Sequence, residues 1–139
     1  MIMNEFVVME AVLKYLTKNG YEIRGYKGPK RHGADIEARK NNWDFIIEAK
    51  GNPSPRGGSQ REVYFLQALG QIVTRMTRLK AARYGLAFPE SYKELLLRRV
   101  PWKACSRLSL YFFLVDESGG VEVLDYRDVR KSQSDQSSS

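Results

Sequence analysis

One hairpin constrains this chain more than any other stretch of it. Residues 34–39 and 44–49 alternate polar and apolar side chains as strands do, and Asn41-Asn42 lies between them. Because asparagine tolerates the positive φ of a two-residue turn, we predict the turn at this pair. The register that follows pairs Ile36 with Ile47, Ala38 with Phe45, and Arg39 with Asp44. A slip of one residue would place the apolar pairs on the polar face, so the pattern specifies this register strongly.

The same register predicts a pair of carboxylates. Asp35 lies directly opposite Glu48, which brings their Cβ atoms to about 5 Å. Such a pair repels, and without a cation one of the two acids takes a raised pKa. A divalent ion removes the conflict, since magnesium prefers one or two carboxylates with water and phosphate oxygens. Lys50 follows two residues later on the same face, where an ammonium can orient or deprotonate a water. The alternative is a charged cluster on a solvated strand.

The remaining pattern predicts one α/β domain. Helices are predicted over 4–18, with Asn4 as cap and Asn19-Gly20 as its end, and over 60–79 and 90–99. Strands are predicted over 21–25, 84–88, 109–115 and 121–124, with a helical turn from Pro101 through Arg107. This order predicts a mixed central sheet flanked by helices. The domain covers 1–130, and the serine-rich residues 131–139 are predicted to be disordered.

Composition narrows the class of partner and the compartment. The chain has 139 residues, a net charge of +7 and a pI near 9.6, which favours a polyanion. The single cysteine, Cys105, excludes an internal disulfide, fits a cytoplasmic protein and is predicted to be a small buried apolar residue. No apolar run approaches the roughly 18 residues that span a membrane. The N-terminal residues lack the positive region of a signal peptide.

Two segments of the hairpin resemble a known superfamily. Gly33-Ala34-Asp35-Ile36 is followed, thirteen positions after the aspartate, by Glu48 in Ile46-Ile47-Glu48-Ala49-Lys50-Gly51. This resembles the PD-(D/E)xK phosphodiesterases of restriction-endonuclease-like fold, and is similar to Mrr-type and Holliday-junction-resolvase-like nucleases. Ala34 stands where the family has proline. Over residues 5–88 the resemblance implies an αβββαβ core. It also implies Mg²⁺ or Mn²⁺ at Asp35 and Glu48, with Lys50 assisting the attacking water.

The resemblance also implies supporting residues on two helices. Members often carry a metal-site glutamate on the first helix, for which Glu10 and Glu5 are candidates. Glu10 is preferred because it lies ten residues before Gly20, a spacing similar to that in Mrr-type and junction-resolving members. A solvated helix face is the alternative reading. Members also carry a glutamine on the helix after the Glu-x-Lys strand. Gln67 lies there amid apolar residues, so we predict that it is buried with a polar partner. Gly70 predicts close packing of that helix onto the sheet.

Basic residues near the hairpin are candidates for holding phosphates. Those predicted to bind nucleic acid are Lys27, Lys30, Arg31, Arg56 and Arg61. A further group, Arg75, Arg78, Lys80 and Arg83, lies near a predicted helix end, where cations also suit the helix dipole. His32 is the only histidine, so neither a zinc site nor a Cys/His nucleophile is supported.

These features together predict a magnesium-dependent endonuclease that hydrolyses DNA phosphodiesters. The alternatives are a nucleic-acid-binding module of the same fold that does not cut, and an oligomeric interaction protein. A homodimer is predicted because one site reaches only one strand of a duplex. Its predicted surface is Leu108–Val115, which is apolar on both faces and must be covered by its own helices or by a partner. The sequence does not distinguish DNA from RNA as the substrate, or branched from linear molecules.

Overall fold

The computed structural model describes residues 2–26, 35–53, 60–77 and 82–137. Its elements, in chain order, are α1 (Glu5–Lys18), β1 (Glu22–Tyr26), β2 (Ile36–Lys40), β3 (Trp43–Ala49), α2 (Gln60–Thr74), β4 (Ala82–Pro89), a 3₁₀ turn (Glu90–Tyr92), α3 (Lys93–Arg99), α4 (Trp102–Leu108), β5 (Leu110–Val115), β6 (Val121–Leu124) and α5 (Tyr126–Ser137). The predicted α/β class is confirmed, and the first six elements follow the αβββαβ order.

The strands form one mixed sheet in the order β1-β2-β3-β4-β5-β6. β1, β2 and β3 are antiparallel, β3, β4 and β5 are parallel, and β6 returns antiparallel to β5. The predicted hairpin register is confirmed, with Ile36 opposite Ile47, Ala38 opposite Phe45 and Arg39 opposite Asp44. Asn41 takes the positive φ of 57° that the turn requires. Because β3 and β4 run parallel, their carboxyl ends, at Ala49 and Pro89, lie at the same edge of the sheet.

Helices cover the sheet in two layers. α1 packs on one face, against Ile36, Ala38, Phe45 and Ile47. α2, α3, α4 and α5 contribute the helical residues of the other core, which contains Ile46. Because side chains alternate along β3, Glu48 points to the same face as Ile46. Glu48 therefore faces the α2 layer rather than α1.

The helix ends are built largely as predicted, although α2 is shorter. The Asn4 Oδ1 atom accepts a hydrogen bond from the Val7 N–H at 2.9 Å, and Gly20 has a φ of 85° after α1. α2 ends at Thr74 instead of continuing to residue 79. Only three side chains of α2 are fully buried, namely Phe65, Ala68 and Ile72. The side chains of Val63, Leu66 and Val73, by contrast, are about half exposed, so part of the apolar pattern of α2 faces outward.

The prediction of disorder from residue 131 is wrong through residue 137, because α5 continues to Ser137. Asp125 starts the helix, since its Oδ1 atom accepts bonds from the N–H groups of Arg127 and Asp128. Val129 is fully buried in the core beneath it. Gln133 anchors the serine-rich stretch through three hydrogen bonds to the backbone of α3 and its connection to α4. The buried Val129 and the hydrogen-bonded Gln133 thus order a segment whose composition is otherwise polar.

β5 is not a free surface, which corrects its assignment as the dimer contact. It lies between β4 and β6, and Leu110, Phe112, Phe113, Leu114 and Val115 are all buried within the domain. Its two faces belong to the two helical layers. Cys105 is buried as predicted, and burial raises the pKa of its thiol to about 11. Across the described ranges no helix combines the length and apolar character needed to cross a membrane.

Candidate active site

Asp35 and Glu48 are buried together. Asp35 precedes β2 by one residue, and the hairpin register carried one step further places it opposite Glu48. The two side chains are 4% and 2% exposed, and they are the only fully buried polar or charged residues among those that the structure describes. Asp35 Oδ2 accepts a hydrogen bond from the Ala49 N–H at 2.7 Å, which holds it against β3. The predicted carboxylate pair is therefore present, and it lies on the α2 face of the sheet.

Burial and proximity change the acidity of this pair. Burial, followed by the charge and hydrogen bond of Asp35, raises the pKa of Glu48 from 4.5 to about 7. The guanidinium of Arg75 opposes this by lowering the same pKa. One raised pKa is what two neighbouring carboxylates without a metal are expected to produce.

Arg75 is the cation that meets the pair. Its Nε atom lies 3.2 Å from Glu48 Oε1, and its side chain is 34% exposed. The residue comes directly after α2, where its N–H still bonds to the Ile72 carbonyl at 3.0 Å. The early end of α2 is what turns this side chain toward β3. Sequence reasoning placed Arg75 only among the cations that suit a helix dipole, because the apolar periodicity predicted a helix through residue 79.

Lys50 extends β3 by one step. Its N–H donates to the Ala87 carbonyl at 3.0 Å, which continues the β3–β4 ladder. Alternation from Glu48 sets its side chain on the carboxylate face, and the residue is half-buried.

The backbone after Lys50 is held from two sides. A Cβ atom on Gly51 would lie 2.5 Å from the carbonyl carbon of Asn4 and from the nitrogen of Glu5, so only glycine fits against the start of α1. Asn52 exchanges bonds with Met3, its N–H donating to the Met3 carbonyl at 2.7 Å. The signal in the sequence was a glycine directly after Glu-x-Lys.

Tyr92 holds the same segment from the other side. Its hydroxyl donates to the Gly51 carbonyl at 2.8 Å, and burial raises its pKa to about 12, so it stays a donor at neutral pH. Arg61 is exposed, with its guanidinium 5.9 Å from the centroid of the Tyr92 ring. This predicted nucleic-acid contact therefore lies beside the Lys50–Gly51 segment. The other four, Lys27, Lys30, Arg31 and Arg56, lie outside the described residues.

The structure does not bring the supporting residues of the two helices to the carboxylates. Glu10 is exposed on α1, which packs on the sheet face opposite to Glu48. The backbone of Glu5 lies against Gly51. Glu5 is five residues before Glu10, which corresponds to about 7.5 Å along the axis of α1. Within the described ranges no group of three or more His, Cys, Asp or Glu residues could hold a metal ion. Asp35 and Glu48 therefore form a pair of acids to which Glu10 adds no third carboxylate.

Gln67 and Gly70 also differ from their predicted settings. Gln67 is exposed, so it needs no buried partner. A Cβ atom added to Gly70 would meet nothing within 4 Å, so this glycine does not mark close packing on the sheet. Both lie on the outward side of α2, because helical rotation sets them opposite the buried Phe65 and Ile72. The apolar neighbours that predicted burial of Gln67 include Leu66, which is itself half exposed.

The donor set fits a small divalent cation. Two carboxylates supply hard oxygen ligands, and magnesium commonly takes one or two of these while keeping several waters. The raised pKa of Glu48 and the approach of Arg75 both indicate a position where positive charge stabilises the site. Asp35 and Glu48 are the residues that would hold the ion.

Comparison with known proteins identifies the fold only. The sequence matches no protein-family model and no curated protein. An XisH family protein from Nostoc punctiforme has a similar structure, with a TM-score of 0.55 and 17% identity over 86% of this chain and 99% of that chain. An fdxN element excision controlling factor protein from Anabaena variabilis is similar at 0.55 and 18% identity, over 84% of this chain and 96% of that chain.

Proposed function

We propose that this protein is a metal-dependent endonuclease that hydrolyses phosphodiester bonds of DNA. The observation that carries the proposal is the buried pair of Asp35 and Glu48, with the pKa of Glu48 raised to about 7. Burying two acids side by side costs stability, and such perturbed groups are concentrated at functional sites. A bound Mg²⁺ or Mn²⁺ would polarise the phosphate and lower the pKa of a coordinated water.

The other residues have separate parts in the proposal. Lys50 orients the attacking water or takes its proton at Nζ. Arg75 balances the charge of Glu48 in the metal-free state through its Nε atom. Its exposed guanidinium can then hold a phosphate oxygen, since arginine forms paired bonds with phosphate. Arg61 holds the strand beside Gly51 through a second phosphate.

The decisive experiment is cleavage of plasmid, linear, single-stranded and four-way-junction DNA, with Mg²⁺ or with chelator. The wild type should cut at least one substrate only with metal. Glu48→Gln should abolish metal-dependent cutting because it removes a ligand charge. Lys50→Ala should lower the rate by about a hundredfold or more, the range for loss of an acid–base group. Glu94→Gln, an exposed acid on α3, is the matched control and should cut normally. Cleavage by Glu48→Gln at the wild-type rate would overturn the site.

One observation favours a second candidate, a nucleic-acid-binding module that keeps the fold without cutting. Arg75 forms an ion pair with Glu48, so the carboxylate pair already has one cationic partner without a metal. In that case DNA binding is unchanged by chelator and no substrate is cut under any condition. An oligomeric interaction protein is the third candidate, and salt-insensitive or absent DNA binding would favour it.

We further propose that the protein works as a homodimer through the outward side of α2. Val63, Leu66 and Val73 are each close to half exposed on that side. Residues 63–74 contain no charged side chain. Because each copy carries +7, two copies approach most easily through a neutral surface. α2 also leads directly into Arg75, so a two-fold axis there brings two sites together.

A further inference from the structure

A basic and aromatic surface lies between α4 and α5, separate from Asp35 and Glu48. We define this α4–α5 surface by Trp102, Lys103, Tyr126, Arg127 and Arg130. The rings of Trp102 and Tyr126 are half-buried, with centroids 6.5 Å apart and planes inclined by 30°. Part of each residue is thus accessible to a planar partner.

Three exposed cations lie against these two rings. The guanidinium of Arg130 is 4.7 Å and the Nζ atom of Lys103 is 6.0 Å from the Trp102 centroid. Arg127 lies 5.3 Å from the Tyr126 centroid, and its Nε atom donates to the Tyr126 hydroxyl. The neighbouring acids bond elsewhere: Asp125 caps α5, and Asp128 accepts from the Asp125 N–H. Three cations against these two carboxylates leave this part of the surface positive.

Gln133 fixes the position of this surface. Its Oε1 atom accepts from the Trp102 N–H at 3.0 Å, and its Nε2 atom donates to the Leu97 and Val100 carbonyls. An open groove of about 350 Å³ lies beside Trp102, lined by Pro101, Lys103, Gln133 and Ser134. The ring and the groove are thus held by bonds between three helices. Such a site loses little conformational entropy on binding.

We propose that the α4–α5 surface binds a single-stranded segment of nucleic acid. Base stacking on an aromatic ring flanked by cations is the usual way of holding unpaired strands. Trp102 supplies the ring, and Lys103, Arg127 and Arg130 supply cations for phosphates. A duplex keeps its base faces hidden, so it gains only the phosphate contacts. An acidic peptide matches the charge but not the paired rings.

The location connects this surface to the proposed nuclease. α4 and α5 lie on the same sheet face as Glu48, and β5 is two strands, or about 10 Å, from β3. A strand held at Trp102 can therefore continue toward the carboxylates. The inference rests on the proposed function only in taking nucleic acid as the partner. Binding measured in chelator tests it without cleavage, so the two can fail separately.

The first test uses Trp102 as its own reporter. In Trp43→Phe the only remaining tryptophan is Trp102. Titration with a 20-nucleotide oligothymidine in chelator should quench its emission, because stacking brings a base against the ring. A hairpin duplex of equal length should quench far less. Tight binding of oligothymidine without quenching would overturn the stacking role, and so would equal quenching by the duplex.

The second test separates this surface from net charge. Lys103→Gln/Arg130→Gln and Lys14→Gln/Lys18→Gln each lower the net charge from +7 to +5. Lys14 and Lys18 are exposed on α1, on the other side of the sheet. By fluorescence anisotropy in chelator, the first variant should lose about tenfold in affinity for oligothymidine, and the second less than about twofold. Equal losses in both variants would contradict a specific site.

Discussion

At the scale of single residues, the buried Glu48 connects stability to chemistry. Its acid is destabilised as an anion by burial and by Asp35, and Arg75 only partly compensates. A site whose acid favours protonation in the absence of a metal is stabilised when a cation binds. The same contacts that cost the empty protein stability therefore favour binding of a divalent ion. Two predictions at this scale follow from that relation.

The stability of the metal-free protein should fall as pH rises from about 4.5 to about 7. The folded protein binds the Glu48 proton more tightly than the unfolded chain, so this contribution is complete below pH 4.5 and is lost through pH 7. A shift of that size corresponds to at most about 3 kcal/mol. Urea unfolding of the wild type and of Glu48→Gln, in chelator, measures it. The fall should be absent in Glu48→Gln and retained in Glu94→Gln; identical profiles for all three would contradict the raised pKa.

Divalent-ion uptake should respond in opposite directions to changes at Asp35 and Arg75. Asp35→Asn removes a ligand charge and should abolish Mn²⁺ uptake in calorimetric titration. Arg75→Ala removes the cation that competes for Glu48 and should strengthen uptake by several-fold. Arg83→Ala, an exposed arginine stacked 3.9 Å over Trp43, is the control and should bind as wild type. Weaker uptake in Arg75→Ala would mean that Arg75 supports the ion instead of replacing it.

At the scale of elements, the hairpin was predictable, whereas the end of α2 and the orientation of its apolar residues were not. The register of β2 and β3 follows from Asn41, which takes a positive φ, and from an alternation that a one-residue slip would break. Asp35 and Glu48 could be placed together for the same reason. The end of α2 depends instead on tertiary contacts, and its apolar residues are divided between core and surface. The role of Arg75 and the exposure of Gln67 both follow from that division.

Gly70→Ala should stabilise the protein by about 1 kcal/mol. A Cβ atom there meets nothing within 4 Å, and alanine has the higher helix propensity. Gly85→Ala is the contrasting variant, because its Cβ would lie 2.7 Å from the Phe113 ring and 3.0 Å from Ile47. Urea unfolding should show a gain for the first and a loss for the second. A loss for Gly70→Ala would mean that this side of α2 is closely packed in solution.

At the scale of the whole molecule, the two helical layers have different surfaces. Among the described residues, α1 is the one helix on its face of the sheet, whereas α2 to α5 lie on the face that carries Glu48. That second layer also presents the uncharged outward side of α2 and the basic α4–α5 surface. Sequence composition predicted a polyanion partner from the charge of +7 but not where that charge lies. The ordering of α5 depends on Val129 and Gln133, whose partners are distant in sequence, so a serine-rich composition alone could not reveal it.

Sedimentation should detect a weak dimer. A single helix face buries well under the roughly 800 Å² per partner of a stable interface, so we expect a micromolar equilibrium that DNA strengthens. Leu66→Lys places a like charge on both copies and should give a monomer, while Lys14→Gln leaves the dimer intact. A monomer of 16.0 kDa for the wild type, with and without DNA, would contradict the dimer.

The contact of Gly51 with the start of α1 ties two distant parts of the chain into one cooperative unit. Met3 and Asn52 form two hydrogen bonds with each other, and the absence of a Cβ atom on Gly51 allows the two backbone segments to lie in contact. Fraying of a first helical turn is ordinarily a local and harmless opening. Here it would remove one of the two supports of the segment after Lys50 and leave only the Tyr92 side, so the opening of one helical turn reaches the proposed site.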